Sequence, residues 1–333
     1  MNIAVDAMGG DHGPDVIVQG ALDAASELGV HVTLVGREDL IREKIGHRKA
    51  DGNVTVHHCE EVVEMDESPL KAIRKKPDAS IRVAFNLVRD GNADGVVSAG
   101  NSGATLAAGI LTLGRLEGVE RPAIASFVPR ERGRVILIDV GANVDCRPAH
   151  LFQFGVMGNA YATACLMMQD PKIGLLSIGE EGSKGNDQVR LARELFEESR
   201  LNFVGNVEGR DIFSGDVQVV VCDGFVGNVA LKVTEGMGQA MTSMLKEELN
   251  RSLMSRIGRF LSRKALRLFS QRLDYAEYGG APLLGLKGVA IVCHGGSSPR
   301  AIRNGIRQAA VNVENQVLDK MSVELNNFRD FMV

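Results

Sequence analysis

The sequence predicts an α/β fold in which a mostly parallel sheet is flanked by helices. Short apolar runs such as VILI and VVVC are continuous rather than alternating, which is typical of strands buried on both faces of a parallel sheet. Helical patterns lie between these runs, and this order indicates parallel strands joined by helical crossovers. The 333 residues are expected to form one large α/β unit over 1–333, with two lobes around a cleft.

The individual elements follow from these patterns. The predicted strands are 2–6, 31–35, 54–57, 94–98, 123–128, 134–139, 172–178, 203–207, 217–222 and 289–293. The predicted helices are 14–28, 80–89, 102–113, 149–168, 187–199, 227–249 and 299–320. The uncharged stretches 95–114 and 148–169 reach membrane-spanning length, but their polar residues favour buried elements of a soluble fold.

Composition narrows the classes of function. The chain has no Trp and a net charge of −4, which disfavours a nucleic-acid binder that relies on base stacking or on a basic surface. The five cysteines are scattered and form no CxxC pair, which indicates reduced thiols in a cytoplasmic protein. The N-terminus lacks the basic and apolar regions of a signal peptide, so a cytoplasmic location is expected.

Six glycine-rich loops each follow a predicted strand. Their sequences are DAMGGDH, SAGNSG, DVGANVD, IGEEGSKGN, DGFVGN and CHGGSS. Because ligands bind at the carboxyl ends of the strands in open α/β sheets, the six loops are expected to converge on one cleft. Small residues at a helix start leave backbone N–H groups exposed, and the helix dipole adds positive potential, which suits a phosphate.

The loop SAGNSG is a candidate phosphate site. Ser98, Asn101, Ser102 and Gly103 are the candidate residues, and the last three are expected to donate to phosphate at the helix start. The alternative is that Asn101 or Ser102 only caps the helix. The sequence contains neither the P-loop pattern GxxxxGK[ST] nor a GxGxxG pattern after a strand.

The N-terminal loop supplies a second set of candidates. These are Asp6, Gly9, Gly10, Asp11 and His12. A carboxylate beside an imidazole can act as an acid–base pair, so this loop is a candidate for substrate binding. The alternative is that Asp11 and His12 cap the helix that begins at Pro14.

Two further loops carry charged or amide side chains. Asp139, Asn143 and Asp145 can bind a divalent cation, but such residues also stabilise tight turns, so a metal site is disfavoured. Asn143 is a candidate for substrate binding. In GEEGSKGN, Lys184 can reach an anionic oxygen as a point charge, and Gly185 and Asn186 are candidates beside it. The alternative for Lys184 is a solvated loop lysine.

The last two loops follow strands 217–222 and 289–293. Their candidate residues are Asp223, Gly224, Gly227, Asn228, His294, Gly295 and Ser297. The glycines permit close approach of the backbone, and the polar side chains can orient a phosphate or a carbonyl. A structural hydrogen bond is the alternative for His294. The sequence lacks GxSxG and HExxH motifs, and Cys222 and Cys293 are expected to be buried and inert.

The segment 250–273 is predicted to be a basic amphipathic helical segment. It contains RSLMSRIGRFLSRKALRLFSQR, which holds seven basic residues and no acidic residue, with apolar residues at helical spacing. Basic amphipathic helices favour anionic membrane surfaces. The candidate contact residues are Arg256, Ile257, Arg259, Phe260 and Arg263. Two alternatives stay open: the same face docks an acidic carrier protein, or the helix packs on the core with solvated arginines.

Eight motifs in chain order carry a resemblance to a known family. They are IAVDAMGGDHGP, VSAGNSGA, RPAIAS, DVGANVDCRPAHL, GLLSIGEEGSKGN, VVVCDGFVGNVALK, YGGAPLLGLKGV and CHGGSS. Over roughly residues 1–320 the chain resembles the bacterial phosphate acyltransferase of phospholipid synthesis. The resemblance implies a fold similar to that of isocitrate and isopropylmalate dehydrogenases and of phosphotransacetylase, usually as a homodimer.

The implied reaction converts fatty acyl-acyl-carrier-protein and inorganic phosphate reversibly to acyl phosphate and free carrier protein. The product would then pass to a membrane glycerol-3-phosphate acyltransferase. No cofactor, metal or covalent nucleophile is expected, because a thiolate leaves readily. Lys184, Asp223, Asn228 and His294 are the expected catalytic residues. They would neutralise or orient phosphate and the developing oxyanion.

Two readings from other classes are weaker. An oxidative decarboxylase of the isopropylmalate dehydrogenase type needs a nicotinamide site, a divalent metal and an arginine cluster, and the motif loops lack that cluster. A non-enzymatic carrier-binding or membrane scaffold does not explain six polar loops.

For the homodimer, the stretch 148–169 is the candidate subunit contact, and a fully buried core helix is the alternative.

Overall fold

The described residues contain an eleven-stranded sheet. The computed structural model describes residues 1–46, 53–273, 277 and 279–331, so Tyr278 of the motif YGGAPLLGLKGV lies outside the described residues. The strands are β1 (Asn2–Asp6), β2 (His31–Gly36), β3 (Val54–His58), β4 (Gly95–Ser98), β5 (Ala123–Pro129), β6 (Arg134–Ile138), β7 (Ile173–Leu176), β8 (Phe203–Val207), β9 (Val219–Val221), β10 (Ala281–Leu284) and β11 (Val289–Val292).

Helices cover both faces of this sheet, since alternate residues of β5 and β6 belong to different hydrophobic clusters. The helices are α1 (Gly13–Leu28), α2 (Glu38–Ile45), α3 (Pro69–Lys75), α4 (Ser80–Arg89), α5 (Ser102–Thr112), α6 (Pro148–Leu166), α7 (Asp187–Glu198), α8 (Asp211–Ser214), α9 (Gly224–Glu248), α10 (Leu253–Leu261), α11 (Arg263–Leu273), α12 (Pro299–Glu314) and α13 (Val317–Asn327).

All ten predicted strands are present, and each end lies within two residues of its prediction. Strand β10 is missed because its sequence APLL is short and contains a proline, which lacks the N–H of a ladder residue. Helices α2, α3 and α8 are missed as well. The predicted helix 299–320 is two helices, α12 and α13, because Gln316 between them adopts a left-handed φ of 51°.

The sheet consists of two parallel blocks that run in opposite directions. The order is β3-β2-β1-β4-β11-β10-β5-β6-β9-β7-β8. One parallel block consists of β3, β2, β1, β4 and β11, and the other consists of β6, β9, β7 and β8. Between them, β10 is antiparallel to both β11 and β5, and β5 is antiparallel to β6. Most neighbouring pairs are parallel, which confirms the predicted fold class.

The register of the central strands brings the carboxyl ends of the two blocks together. Ile291 near the end of β11 pairs with Pro282, and Ile138 at the end of β6 pairs with Ala125. The pairing of β10 with β5 sets Pro282 opposite Ala125. Ile291 and Ile138 therefore lie at one level, three strand spacings or about 14 Å apart. The loops that follow the strands of both blocks can then line one space.

Helix α6 lies inside the molecule. It packs against β6 and β9 on one side and against α7 and α13 on another. Phe152, Phe154 and Tyr161 are fully buried within it. The prediction that the stretch 148–169 forms a subunit contact is therefore wrong, because elements of the same chain cover the helix. The alternative, a buried core helix, is what the structure shows.

Helix α9 lies mostly outside the core. Its buried residues are Gly224 and Gly227, both in the first turn. Farther along, it exposes apolar side chains at spacings of three, four and seven residues, which place them on one face. This face, the α9 stripe, consists of Val226, Val229, Val233 and Met244. An apolar face of this length left in water indicates a surface that another molecule covers.

The basic segment forms two helices, α10 and α11, rather than one. Helix α10 has no buried residue, and Leu253, Met254, Phe260 and Leu261 are each at least 66% exposed. The alternative of a helix packed on the core is therefore wrong for α10. Across the described residues, no helix combines the length and the apolar character needed to cross a membrane.

Replacing Gly227 by alanine should destabilise the protein. A Cβ there would lie 1.8 Å from the carbonyl oxygen of Asp139, so helix and strand would have to separate. Overpacking against backbone lowers the free energy of unfolding by about 3 kcal/mol, which urea denaturation measures. Gly236→Ala in the same helix is the control, because its Cβ would meet nothing within 4 Å. That variant should gain up to ~1 kcal/mol of stability. Equal effects of the two changes would contradict the account.

Candidate active site

A cavity of about 1010 Å³, here called the central cavity, lies where the two blocks meet. Four polar candidates line it: Ser102, Asn228, His294 and Ser297. They follow β4, β9 and β11, so both blocks contribute. Apolar side chains of β5, α8 and α9 line much of the remainder, among them Ile124, Val128, Phe213, Leu231 and Met241. The cavity can therefore hold a ligand with a polar and an apolar part.

The loops after β1, β4 and β11 touch one another. A Cβ on Gly9 would lie 2.7 Å from the amide nitrogen of Gly100, and one on Gly10 would lie 3.0 Å from the carbonyl oxygen of Gly295. The backbone N–H of Asp11 donates to that same carbonyl at 2.9 Å. These glycines are therefore needed for close packing of the three loops, which form the first loop cluster.

Asp6 lies beneath this cluster rather than on the cavity wall. It is 2% exposed, and its carboxylate accepts hydrogen bonds of 2.7 Å from the hydroxyls of Ser80 and Ser98. Burial raises the pKa of the Asp6 carboxyl above its usual range, and the hydrogen bonds oppose that rise. The geometry gives Asp6 a role in holding the loops instead of the predicted contact with substrate.

His12 occupies the N-cap position of α1, but its side chain makes no cap hydrogen bond. Asp11 and His12 are both exposed. The expected acid–base pair is therefore at the surface beside the first loop cluster. The alternative, a side-chain cap by His12, is not what the structure shows.

Of the candidate residues at the start of α5, two have structural contacts and one lines the cavity. Asn101 caps the helix by accepting from the N–H of Ala104 at 3.0 Å, and its amide donates to the carbonyl of Met65 at 2.9 Å. The capping alternative is thus correct for Asn101. Ser102 lines the central cavity. Gly103 packs against another helix, because its Cβ would lie 2.7 Å from the ring of Pro69.

The loops after β6 and β9 form the second loop cluster. Asn143 is buried and its amide donates to Asp139 and to the carbonyl of Pro122, at 2.9 and 2.8 Å. Asn143 is therefore a structural residue and does not line the cavity. Asp145 is exposed. In the described ranges, no group of three or more His, Cys, Asp or Glu residues could hold a metal ion.

Helix α9 starts from this cluster. Asp223, an expected catalytic residue, caps the helix by accepting from the N–H groups of Phe225 and Val226 at 2.9 and 3.0 Å. Asn228, one turn on, lines the cavity, and a Cβ on Gly141 would lie 3.7 Å from its side chain. Asp223 therefore fixes the helix start, and Asn228 is the side chain that reaches the site.

The loop before α12 holds the most informative side chain. Ser297 is 3% exposed, and its hydroxyl oxygen has no hydrogen-bond partner in the part of the chain that the structure describes. His294 accepts from the N–H of Gly296 at 3.0 Å through Nδ1, so its neutral ring carries the proton on Nε2. Because a buried hydroxyl rarely stays unpaired, Ser297 is a candidate to bond a ligand or a water molecule in the cavity.

The loop after β7 stands apart from the other five. Strand β9 lies between β6 and β7, so this loop is about 10 Å farther along the sheet than the loop after β6. Lys184 is exposed and does not line the central cavity, and Asn186 caps α7 through the N–H of Val189. Within the described part of the chain, four of the expected six loops line the cavity, and the loop after β1 packs against two of these four. The role of Lys184 stays a prediction.

The cysteines are unsuited to nucleophilic catalysis, as the sequence predicts. Cys222 and Cys293 are buried at the ends of β9 and β11. Burial raises the pKa of the Cys293 thiol to about 12 and that of Cys222 well above its ordinary value. A thiolate is the nucleophilic form, so neither thiol supplies one near neutral pH.

Sequence reasoning missed the apolar wall of the cavity. Leu231 and Met241 belong to α9, whose apolar residues recur on more than one face, so their spacing did not single out the cavity side. Phe213 lies in the four-residue helix α8, which is too short to show a period. Ile124 and Val128 lie on the same side of β5, and this spacing is the sequence feature that could have indicated the apolar wall.

The fold places a cavity at the facing strand ends of two parallel blocks, which is where α/β enzymes bind their substrates. The chain matches the model of the fatty acid synthesis protein family over residues 1–320 and belongs to that family. It is 54% identical over 321 residues to a phosphate acyltransferase of Nitratidesulfovibrio vulgaris, and the match covers 96% of this chain and 93% of that protein.

Solved structures share the fold. A phosphotransacetylase from Streptococcus pyogenes superposes with a TM-score of 0.64 at 20% identity, covering 96% of this chain and 94% of that one. A 4-hydroxythreonine-4-phosphate dehydrogenase from Klebsiella pneumoniae gives 0.55 at 14% identity, covering 93% and 98%. At these identities the likeness concerns the fold alone, and it confirms the expected similarity to phosphotransacetylase and to dehydrogenases of this type.

Ser297→Ala should separate stability from ligand binding. Removing a buried unpaired hydroxyl should leave the free energy of unfolding unchanged or raise it by about 1 kcal/mol. We expect inorganic phosphate to stabilise the unaltered protein, and this stabilisation should fall in the same variant. The control is Ser298→Ala, because Ser298 caps α12 by accepting from the N–H of Ala301 and its loss should cost about 1 kcal/mol. A destabilised Ser297→Ala that keeps its response to phosphate would contradict this assignment.

Proposed function

We propose that this chain is a phosphate acyltransferase that moves a fatty acyl group from acyl-carrier protein to inorganic phosphate. The products are acyl phosphate and free carrier protein, which serve phospholipid synthesis. Family membership supports the reaction class. The observation that carries the proposal is the buried hydroxyl of Ser297, which has no partner among the described residues and lines a cavity with apolar walls.

Phosphate is proposed to bind at the first loop cluster. Ser102 and Ser297 line the cavity at the starts of α5 and α12, where helix N-termini favour an anion. The Ser297 hydroxyl can donate to a phosphate oxygen, which would give it the partner that the described residues do not supply. The buried network around Asp6 holds these loops in place before the ligand arrives.

The acyl chain is proposed to lie against α9 and β5. The α9 residues that line the cavity extend from Asn228 to Lys246, a distance of about 27 Å along the helix. Ile124, Val128 and Leu231 supply apolar contacts along this space. A long acyl chain gains about 0.8 kcal/mol for each methylene buried in such surroundings.

The reaction then needs positioning more than acid–base catalysis. A phosphate oxygen attacks the thioester carbonyl carbon, and the tetrahedral oxyanion collapses as the C–S bond breaks. The sulfur leaves with the bonding electron pair as a thiolate and takes a proton from solvent. Asn228 and His294 are proposed to donate to the developing oxyanion, since both line the cavity. Lys184 is retained as a predicted contributor, and the turnover of Lys184→Ala tests it.

Trapping of acyl phosphate with hydroxylamine tests the reaction. The chain, long-chain acyl-acyl-carrier-protein and inorganic phosphate should yield acyl hydroxamate, because hydroxylamine captures the activated acyl group. A parallel reaction without phosphate is the control, since hydroxylamine also attacks thioesters slowly. Hydroxamate formation that does not depend on phosphate, or release of free fatty acid instead, would contradict the proposed function.

We also propose that the protein is a cytoplasmic homodimer. The α9 stripe, an exposed apolar face, is the surface proposed to meet a second copy, in place of the stretch 148–169. Its side chains at spacings of three and four residues suit packing of one helix against another.

Helix α10 is proposed to contact anionic membrane, where a glycerol-3-phosphate acyltransferase would take the product. It exposes Leu253, Ile257 and Phe260. Two of its arginines have structural partners as well, because Arg256 and Arg259 donate to Asn250 just after the end of α9. The exposed apolar face, rather than these two arginines, is therefore the stronger support for membrane contact.

Changing Leu253, Ile257 and Phe260 to serine should abolish binding to vesicles that contain anionic lipid, because the apolar contact is lost. Turnover without vesicles should be unchanged. Charge reversal at Lys264 and Arg267 tests the alternative, carrier docking, and would raise the KM for acyl-carrier protein in the absence of vesicles. Vesicle binding that survives the serine changes would contradict membrane contact through α10.

A further inference from the structure

We propose that two buried carboxylates, Asp6 and Asp139, are positioning residues that each preset one half of the site. Neither lines the central cavity. Each lies at the carboxyl end of a strand and accepts hydrogen bonds from one loop cluster. The inference rests on the proposed function and adds which carboxylate governs which substrate.

Asp139 organises the second loop cluster. It is fully buried, and one carboxylate oxygen accepts from the backbone N–H groups of Ile124 and Ala142 at 2.9 and 3.1 Å. The other oxygen accepts from the backbone and side-chain N–H groups of Asn143 at 2.7 and 2.9 Å. All four hydrogen bonds form only when both oxygens of the side chain accept, as they do in a carboxylate. One side chain therefore ties β5 to the turn after β6.

This turn in turn fixes the start of α9. The carbonyl of Asn143 accepts from the N–H of Gly224 at 2.7 Å. Glycine is required at 224, because a Cβ would lie 2.8 Å from a carboxylate oxygen of Asp139. Asn228 follows within the next turn and lines the cavity. The direction in which α9 leaves the sheet, and with it the place of Asn228, thus depends on the Asp139 carboxylate.

Asp6 organises the first loop cluster in the same way. Its carboxylate accepts from the hydroxyls of Ser80 and Ser98 and from the N–H of Met8, the last at 3.3 Å. The Ser98 hydroxyl in turn accepts from the N–H of Gly100 at 3.1 Å. A Cβ on Gly9 would lie 2.7 Å from the Asp6 carboxylate. The Asp6 carboxylate therefore fixes the positions of the loops after β1 and β4 relative to each other.

An amide in either position would break the pattern without changing its size. Asparagine offers one acceptor oxygen. Around Asp139 its NH₂ group would face N–H donors that cannot accept, and around Asp6 it would force a serine hydroxyl to change from donor to acceptor. Burial raises the pKa of the Asp139 carboxyl while its four hydrogen bonds oppose the rise, so the site depends on these donors being satisfied. Loss of half of them should let the loop cluster shift.

The two halves serve different substrates in the proposed reaction. The Asp139 half contains α9, which lines the apolar part of the cavity, and the Asp6 half contains the loops near Ser102 and Ser297. Asp139→Asn should therefore weaken use of the acyl substrate, and Asp6→Asn should weaken use of phosphate. A misplacement of about 1 Å can cost about 10²-fold in rate, which sets the expected loss.

Steady-state kinetics of the full chain with acyl-acyl-carrier-protein and phosphate test this division. Asp139→Asn should lower kcat/KM for acyl-carrier protein by about 10²-fold and leave the KM for phosphate within threefold. Asp6→Asn should raise the KM for phosphate by at least tenfold and leave that for acyl-carrier protein within threefold. Equal shifts of both KM values in either variant would overturn the inference, since a merely structural role predicts them.

Milder variants keep the test decisive if an asparagine variant fails to fold. Asn143→Ser removes one donor to Asp139, and Ser98→Ala removes the link from Asp6 to Gly100. Each should shift the same KM as its carboxylate partner. Tyr161→Phe is the matched control, because its buried hydroxyl bonds Asn312 away from the cavity. It should lower the melting temperature and change neither KM. A wild type without turnover would refute the proposed function, whereas active variants with equal shifts refute only this inference.

Discussion

The direction of β10 is the constraint on which the site depends. Because β10 is antiparallel to both neighbours and β5 is antiparallel to β6, the two parallel blocks point toward each other. A parallel β10 would send the loops after β6 and β9 to the far edge of the sheet. Instead, Ile138 and Ile291 end at one level, and the helix starts of α5, α9 and α12 surround a single cavity. The reactants of an acyl transfer must meet in such a space.

The polar groups of this site differ in how far they lie from the cavity and in whether they have hydrogen-bond partners. The carboxylates of Asp6 and Asp139 are buried and satisfied, and they hold glycine-rich turns in which a Cβ has no room. Nearer the cavity, caps such as Asp223 and Ser298 satisfy the helix starts. At the wall, the buried hydroxyl of Ser297 lacks a partner among the described residues. A rigid support beneath an unsatisfied donor is the arrangement that preorganised binding needs.

Much of this could be predicted from the sequence, since buried parallel strands produce continuous apolar runs and strand ends carry glycine. The roles of individual residues could not. Asp223 and Asn101 are polar loop residues like Asn228, and only the local backbone decides that the first two cap helices while the third faces the cavity. Strand β10 was not predicted because it is short and contains Pro282. Without β10, the sequence did not indicate that the second block runs opposite to the first. The exposure of α9 and the burial of α6 likewise depend on which element packs nearby, which periodicity does not reveal.

A double-mutant cycle across the cavity tests most directly whether the two loop clusters act on one reacting pair. Ser297 belongs to the first cluster and Asn228 to the second, and both line the cavity. Turnover of acyl-acyl-carrier-protein with phosphate would be measured for Ser297→Ala, Asn228→Ala and the double variant. Groups that stabilise the same transition state are strongly non-additive, so the double variant should lose much less than the product of the two single losses. Losses that multiply fully, or a single variant with wild-type turnover, would contradict a shared site.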